Sequence, residues 1–138
     1  MVTELTKPLD AEATAVGGGD GHTRSKDGFV DGDVRPPVEM GGAGGGTNPE
    51  DLFAAGYAAC FQSALAVVAR RSKVSVDGST VTGKVTIGTI AGGGFGLAVA
   101  LDVHLPDVDE ASSCSLMEAA HLVCLSTAMP PAATSPSP

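Results

Sequence analysis

Alternating apolar and polar residues mark both halves of the chain, whereas a long apolar segment occupies its middle. Weak alternation over residues 12–16 and the pair Phe29–Val30, each bounded by glycine or aspartate–glycine turns, predict short strands joined by tight turns. The long segment predicts a helix from about Pro49 to Ser72, because Asn48 can cap it and proline suits its first turn. The first half of the chain is therefore expected to form a small sheet followed by a helix.

Two further alternating runs predict longer strands. Residues 80–90 alternate, with Val81, Val85 and Ile87 among polar residues, and residues 95–105 place apolar residues at every second position. The glycine run between them suits a turn, so the two strands are expected to pair antiparallel. A second helix is predicted from Pro106–Asp107 to about Cys124. The order of strands, helix, strands and helix favours an α+β fold in which helices pack on antiparallel sheets.

Composition is typical of a globular protein of one domain. The 138 residues, 43% of them hydrophobic, suffice for a single core over residues 1–138. The net charge of −8 argues against nucleic acids and anionic membrane surfaces as partners. From the sequence we expect no apolar run that approaches the roughly 18 residues needed to span a bilayer, and no export signal. A cytoplasmic location without membrane insertion is therefore predicted. There, three cysteines favour catalytic, redox or buried roles over a disulfide framework.

Cys60 is the first candidate for chemistry. Steps of three, four and seven residues along the predicted helix connect it to an apolar stripe, so its side chain is expected to be buried. The stripe consists of Phe53, Gly56, Tyr57, Ala64 and Val67. Burial raises the pKa of a thiol, so a reactive thiolate at Cys60 requires a cation or hydrogen bonds from elsewhere. The alternative is a cysteine that only packs in the core.

The other two cysteines differ in what they can reach. Cys114 and Cys124 are ten residues apart, about 15 Å along one helix, whereas a disulfide needs Cα atoms within about 7 Å. An intramolecular disulfide must therefore join Cys60 to one of them. Cys124, at the helix end, is the better partner, and Cys114 is interpreted as structural.

No metal or cofactor site is expected from the sequence. The glycine run at residues 41–46 precedes a helix but lacks the lysine and hydroxyl residue of a phosphate-binding loop, so it is interpreted as a backbone loop. His121 lies one turn before Cys124 and could act as a base or a ligand. Two cysteines and one histidine nevertheless lack the spacing of a zinc site.

Five stretches of the chain closely resemble the organic hydroperoxide resistance (Ohr) proteins of the OsmC/Ohr superfamily. The stretches are residues 41–50, 52–61, 83–85, 94–97 and 119–124. The resemblance runs from about Ala13 to Cys124. It implies an intertwined homodimer of α+β subunits with two active sites at the subunit interface. It also implies reduction of organic and fatty-acid hydroperoxides to alcohols without metal, flavin or haem, with a lipoylated protein or another dithiol as reductant.

The resemblance also implies roles for individual residues. Cys60 matches the peroxidatic cysteine, whose thiolate attacks the O–O bond and becomes a sulfenic acid, and Cys124 matches the resolving thiol. Glu50 matches a carboxylate that positions a catalytic arginine. Glu50 and Cys60 are ten residues apart, about 15 Å on one helix, so the site is expected to combine several segments, and we hypothesise that both subunits contribute.

One departure from the family pattern removes that arginine. The family has Gly-Gly-Arg-Asp-Gly where this chain has residues 17–21, and Gly19 occupies the arginine position. Without a guanidinium the thiolate loses its stabilising cation, which predicts weakened activity. Arg24 or His22 is a candidate replacement. A weakened or inactive relative that only binds hydrophobic molecules, or a peroxidase of the sister OsmC branch, is therefore the alternative to an active Ohr enzyme.

The second departure is the tail at residues 125–138. The family continues with a last strand, whereas this proline-rich tail suits no central strand and is expected to be disordered. Codons for much of the tail, read one frame over, can encode a family-like ending, so we hypothesise a frameshift near Leu125. If the tail is genuine, one strand is missing and the edge of its neighbour is exposed.

Overall fold

The computed structural model describes residues 10–124, so residues 1–9, expected from the sequence to belong to a loose arm, and the atypical tail at residues 125–138 lie outside the described residues. The elements are β1 (Ala13–Val16), β2 (Gly21–Ser25), β3 (Asp31–Val34), α1 (Pro49–Arg71), β4 (Thr80–Thr89), β5 (Phe95–His104) and α2 (Glu110–Val123). Contacts divide the described chain into two compact units. The helical unit contains residues 57–82 and 101–124, and the sheet unit contains residues 10–56 and 83–100.

The strands form two sheets. β1, β2 and β3 make a three-stranded antiparallel sheet in sequence order, with Arg24 opposite both Thr14 and Asp31. β4 and β5 form a separate two-stranded sheet. Both long strands were predicted to within about a residue at each end, because alternation of apolar and polar residues is the period of a strand. The predicted α+β fold class is confirmed.

The β2–β3 hairpin turns at a different place from the predicted one. Phe29 lies in the connecting loop and is 93% exposed, although it was expected to belong to an extended segment. The carboxylate of Asp27 accepts hydrogen bonds from the Ser25 hydroxyl at 2.6 Å and the Phe29 N–H at 3.0 Å. These bonds, the first of them above all, lower the pKa of Asp27 and favour a turn over continued pairing.

The end of β3 is tied to the start of α1 through backbone hydrogen bonds. The N–H of Arg35 donates to the carbonyl of Thr47 at 2.9 Å, and the N–H of Thr47 donates to the carbonyl of Asp33 at 2.8 Å. The side chain of Asn48 then caps α1 by accepting from the N–H of Asp51 at 2.8 Å. The glycine-rich loop at residues 41–46 therefore brings the chain back to the end of β3 before α1 begins.

The core of the helical unit forms around Leu65, which is fully buried. Its buried members are Phe61, Ala64, Leu65, Val68, Ala69, Leu116, Ala120 and Cys124. The buried stripe of α1 differs from the one predicted around Cys60, because Phe53 and Gly56 are exposed. Residues 52–69 offer two neighbouring apolar stripes, so spacing alone could not decide which one packs inward.

α1 is more apolar than we expected from the sequence. With 23 residues it meets the length and composition of a membrane-spanning helix, so the expectation that no such run exists was wrong. Within the helical unit, however, its buried side chains pack against those of α2. A core helix of a soluble protein has this composition too, and we infer no membrane span from it.

α2 begins later than predicted. Its cap is Asp109, whose carboxylate accepts from the N–H of Ser112 at 3.1 Å, and hydrogen bonds from Ser112 lower the pKa of that carboxyl. The predicted start at Pro106–Asp107 was wrong, because Asp107 has a left-handed backbone with φ of 62° and cannot open a right-handed helix. Asp109 therefore caps α2, and Pro106 does not begin it.

In the sheet unit, β4 approaches α1 closely at Gly83. A Cβ atom at that position would lie 2.7 Å from the carbonyl oxygen of Ala54. We expect Gly83→Ala to lower the free energy of unfolding by about 1–3 kcal/mol, because the backbones must separate. The measurement is urea unfolding. Gly88→Ala in the same strand is the control, since a Cβ there meets no atom within 4 Å, and equal midpoints for both variants would contradict the close approach.

Candidate active site

Two sulfur atoms meet in the helical unit. The Sγ atoms of Cys60 on α1 and Cys124 directly after α2 lie 3.9 Å apart. Cys124 is held at the helix end by a hydrogen bond from its N–H to the carbonyl of Ala120 at 2.9 Å. Neither cysteine is in a disulfide. The structure thus brings together the pair that helix geometry favoured.

The two thiols differ in exposure, and not in the way that the sequence suggested. Cys60 was expected to be buried, but it is only half-buried, whereas Cys124 is 1% exposed. Cys60 stands at the margin of the buried stripe, one position before Phe61, so its sulfur borders the core and also reaches the surface. Cys114 is exposed and does not pack in the core, and its interpretation as a structural rather than a catalytic cysteine stays a prediction.

The surroundings of the sulfur pair are apolar. Tyr57, Phe61 and Ala120 belong to the same core cluster as the two cysteines. Among residues 10–124 no charged or polar side chain is fully buried. Within the described part of the chain, a cation that stabilises a Cys60 thiolate must therefore be one that solvent also reaches.

An open apolar groove of about 480 Å³ lies beside the core of the helical unit. Phe61, Met117 and Leu122 form its apolar wall, and Glu118 and His121 stand on its rim. His121, considered as a base or ligand, is exposed there. Within residues 10–124 no group of three histidine, cysteine or acidic side chains has the arrangement of a metal site. The groove therefore suits an apolar molecule better than an ion.

Two carboxylates of β3 lie beside His22 in the sheet unit. Its ring nitrogens lie 2.9 Å from the Asp33 carboxylate and 2.5 Å from that of Asp31. These two bonds, that with Asp33 first, raise the pKa of His22, and the bond with His22 followed by the charge of Arg35 lowers the pKa of Asp33. Both ring nitrogens of His22 are thus engaged within the sheet.

The remaining predicted site residues also lie in the sheet unit. Arg24 is 66% exposed and has its Nε 3.8 Å from the Asp31 carboxylate. Gly19 lies in the 3-10 turn between β1 and β2, where a Cβ atom would meet nothing within 4 Å. Glu50 is half-buried in the first turn of α1. The turn therefore has room for the side chain that glycine lacks.

Arg35, which was not predicted from the sequence as a site residue, approaches that same turn. Its Nη1 donates to the carbonyls of Gly21 and Val34, both at 2.7 Å, and its side chain is 33% exposed. Its position follows from the strand register, because Gly21 is paired with Val34. The sequence showed Arg35 only as the residue that ends a strand before two prolines.

Comparison with known proteins places these features in a family. A sequence model of OsmC-like proteins matches residues 42–130. An organic hydroperoxide resistance protein of Xanthomonas axonopodis pv. citri is 47% identical over 116 residues, which cover 83% of this chain and 81% of that protein.

Solved structures agree with the sequence comparison. An organic hydroperoxide resistance protein from Elizabethkingia anophelis superposes with a TM-score of 0.82 at 44% identity, over 89% of each chain. One from Legionella pneumophila superposes with a TM-score of 0.81 at 41% identity, over 86% of this chain and 87% of that one. The chain therefore belongs to the OsmC/Ohr superfamily, in which its close relatives are organic hydroperoxide resistance proteins.

Proposed function

We propose that this protein is a thiol-dependent peroxidase that reduces organic hydroperoxides to alcohols through Cys60 and Cys124. The observation that carries the proposal is the 3.9 Å separation of the two sulfur atoms. The accessible thiol of Cys60 supports the attacking role, and the buried thiol of Cys124 lies beside it, where it can act as the resolving thiol. A role in peroxide detoxification is also the one that the names of its relatives give for them.

The first step forms a sulfenic acid on Cys60. Its thiolate attacks one oxygen of the hydroperoxide, an S–O bond forms, the O–O bond breaks, and the leaving alkoxide takes up a proton to become the alcohol. The sulfur loses two electrons, which the peroxide gains. Because the thiolate is the nucleophile, a cation that favours it raises the rate at neutral pH.

The second step closes a disulfide. The sulfur of Cys124 attacks the sulfenic sulfur of Cys60, an S–S bond forms, and the S–O bond breaks with release of water. The sulfurs must approach from 3.9 Å to about 2.05 Å. A lipoylated protein or another dithiol then supplies the two electrons that restore both thiols, so the cycle needs no bound cofactor.

The apolar surroundings set the substrate class. Alkyl and fatty-acid hydroperoxides gain from burial against the wall formed by Phe61, Met117 and Leu122, whereas hydrogen peroxide has no apolar part to bury. The reaction takes place in the cytoplasm, in a homodimer in which both subunits contribute to each site. Glu50 positions the cation of that site, for which Arg24 is the replacement considered from the sequence.

A second candidate function is favoured by one observation. Gly19 provides no guanidinium where the family pattern has one, so a weakened protein that binds hydrophobic molecules in the groove is the alternative. A peroxidase of the OsmC branch would share the same thiol chemistry. Thiol counting during peroxide treatment distinguishes a protein that only binds hydrophobic molecules from either kind of peroxidase. Only a peroxidase is expected to lose thiols at a rate that depends on the peroxide concentration.

The test is to add cumene hydroperoxide to the fully reduced protein and to count thiols. We expect the loss of two thiols per chain and a peptide that links Cys60 to Cys124 after digestion without reductant. In Cys124→Ser the reaction should stop at one oxidised thiol, trapped as the dimedone adduct of Cys60. Absence of thiol loss, or a linkage to Cys114, would contradict the proposed cycle.

A further inference from the structure

A histidine and two aspartates meet across two strands on the exposed face of the three-stranded sheet. Nδ1 of His22 lies 2.9 Å from a carboxylate oxygen of Asp33, and Nε2 lies 2.5 Å from one of Asp31. The strand register explains this geometry, because His22 is directly opposite Asp33, and Asp31 lies two positions away on the same face of β3. The ring of His22 therefore bridges two side chains of the neighbouring strand.

The two hydrogen bonds of this bridge determine how many protons the ring carries. An ionised carboxylate only accepts hydrogen bonds, whereas a neutral imidazole donates one and accepts one. With a carboxylate at each ring nitrogen, only the imidazolium can make both bonds at once, because it donates from both nitrogens. A neutral ring would keep one bond and direct the lone pair of its other nitrogen toward a carboxylate oxygen.

We propose that the sheet unit contains a pH-dependent bridge, in which the imidazolium of His22 joins β2 to Asp31 and Asp33 of β3 and loses one of its two bonds when it loses a proton. The proton passes to solvent, to which the side chain of His22 is 47% exposed. This proposal concerns the sheet unit alone and goes beyond the thiol chemistry proposed above. It makes the pairing of β2 with β3 sensitive to pH near neutrality.

The charges around the bridge are balanced only while His22 is protonated. Nε of Arg24 lies 3.8 Å from the Asp31 carboxylate, and Nη2 of Arg35 lies 3.7 Å from that of Asp33. β1, the other neighbour of β2, has the sequence Ala-Thr-Ala-Val and contributes no titratable side chain. The ion pairs thus join three cations and three carboxylates, namely His22, Arg24 and Arg35 with Asp20, Asp31 and Asp33. Loss of the proton leaves this group with one negative charge in excess.

The pKa of His22 sets the pH range in which the bridge breaks. The hydrogen bonds with Asp33 and then with Asp31 raise this pKa above its ordinary value of 6.5. Because the pKa is higher in the folded state, the contribution of the bridge to the stability of the sheet is complete below about pH 6.5 and is lost as the pH rises through the raised value. At acid pH the bond with His22, followed by the charge of Arg35, lowers the pKa of Asp33, so that carboxylate stays ionised.

The first test is an NMR titration of the His22 ring, whose signals are identified by their loss in His22→Gln. We expect the parent protein to show a pKa of His22 above the ordinary histidine value. In Asp31→Asn and in Asp33→Asn we expect a lower pKa than in the parent, because an amide has no negative charge to favour the imidazolium. The parent titration needs no variant that could fail to fold.

The second test compares amide hydrogen exchange in β2 and β3 between His22→Gln and the parent protein. Both are measured at the same pH, so the chemical exchange rate cancels for amides other than those of residues 22 and 23. At about pH 6 we expect exchange in His22→Gln to be roughly two- to fivefold faster, the scale of an exposed ion pair. At about pH 9 the two proteins should exchange alike, because the parent has lost the bridge. His104→Gln changes an exposed histidine of β5 and is the control, which should match the parent at both pH values.

Opposite results would overturn the proposal. A pKa of His22 at or below the ordinary histidine value in the parent protein would contradict it, as would a pKa that neither Asp31→Asn nor Asp33→Asn changes. An exchange ratio that is the same at both pH values would also contradict it, because His22 would then act independently of its proton. Neither test uses a peroxide, so the result does not depend on the peroxidase proposal.

Discussion

Cys60→Ser is expected to abolish the peroxide-driven loss of thiols and to lower turnover with a dithiol reductant by roughly 10³-fold or more, the scale on which removal of a nucleophile acts. Serine retains the size of the side chain but has no thiolate to attack the O–O bond. The measurement is steady-state consumption of cumene hydroperoxide, together with thiol counting. The effect should be large because Cys60 is the half-buried member of the sulfur pair, the one that peroxide can reach.

The matched control is Cys114→Ser. Cys114 is exposed on α2 and is not part of the sulfur pair, so this variant should lose two thiols and turn over like the parent protein. Equal activity of Cys60→Ser and the parent would refute the catalytic assignment. A loss confined to Cys114→Ser would move the chemistry to the exposed thiol.

Leu65→Ala is expected to have the largest effect on stability. Leu65 is completely buried at the centre of the core shared by α1 and α2 in the helical unit. Removing its side chain loses the transfer free energy and leaves a cavity, which together cost about 2–5 kcal/mol. Urea unfolding, followed by circular dichroism, should show a lower midpoint at an unchanged dependence on denaturant.

Leu122→Ala is the control for this substitution. Leu122 is 72% exposed on the wall of the groove, so its truncation should change the free energy of unfolding by no more than about 0.5 kcal/mol. Equal losses in both variants would mean that the packing around Leu65 does not hold the helical unit together. The pair also separates stability from substrate binding, because only Leu122 lines the groove.

The regular elements were predictable because each carries a local signal. Asn48 and Pro49 predict the start of α1, and the alternation over residues 80–90 and 95–105 predicts strands. Local geometry excluded a bridge between Cys114 and Cys124, since one helix keeps them too far apart, and the resemblance to the Ohr proteins then indicated Cys124 as the partner of Cys60. Such arguments need no knowledge of how the elements pack.

The misses have a common cause in packing and register. The burial of Cys60 depends on which of two equivalent apolar stripes faces the core, and no spacing rule decides that. The start of α2 was predicted at Pro106–Asp107, but the left-handed backbone of Asp107 excludes a helix there, and Asp109 is the cap. Arg35 could be found only once Gly21 was known to pair with Val34.

The unequal access of solvent to the two sulfurs has a consequence for damage to the protein. A sulfenic acid that meets a second peroxide becomes a sulfinic acid, which ordinary thiols do not reverse. In the proposed cycle, the buried Cys124 has its Sγ atom 3.9 Å from that of Cys60. It can therefore form the disulfide with the oxidised Cys60 without first being oxidised by peroxide itself. The protein should therefore survive repeated exposure to excess peroxide, and Cys124→Ser should be inactivated within a few turnovers.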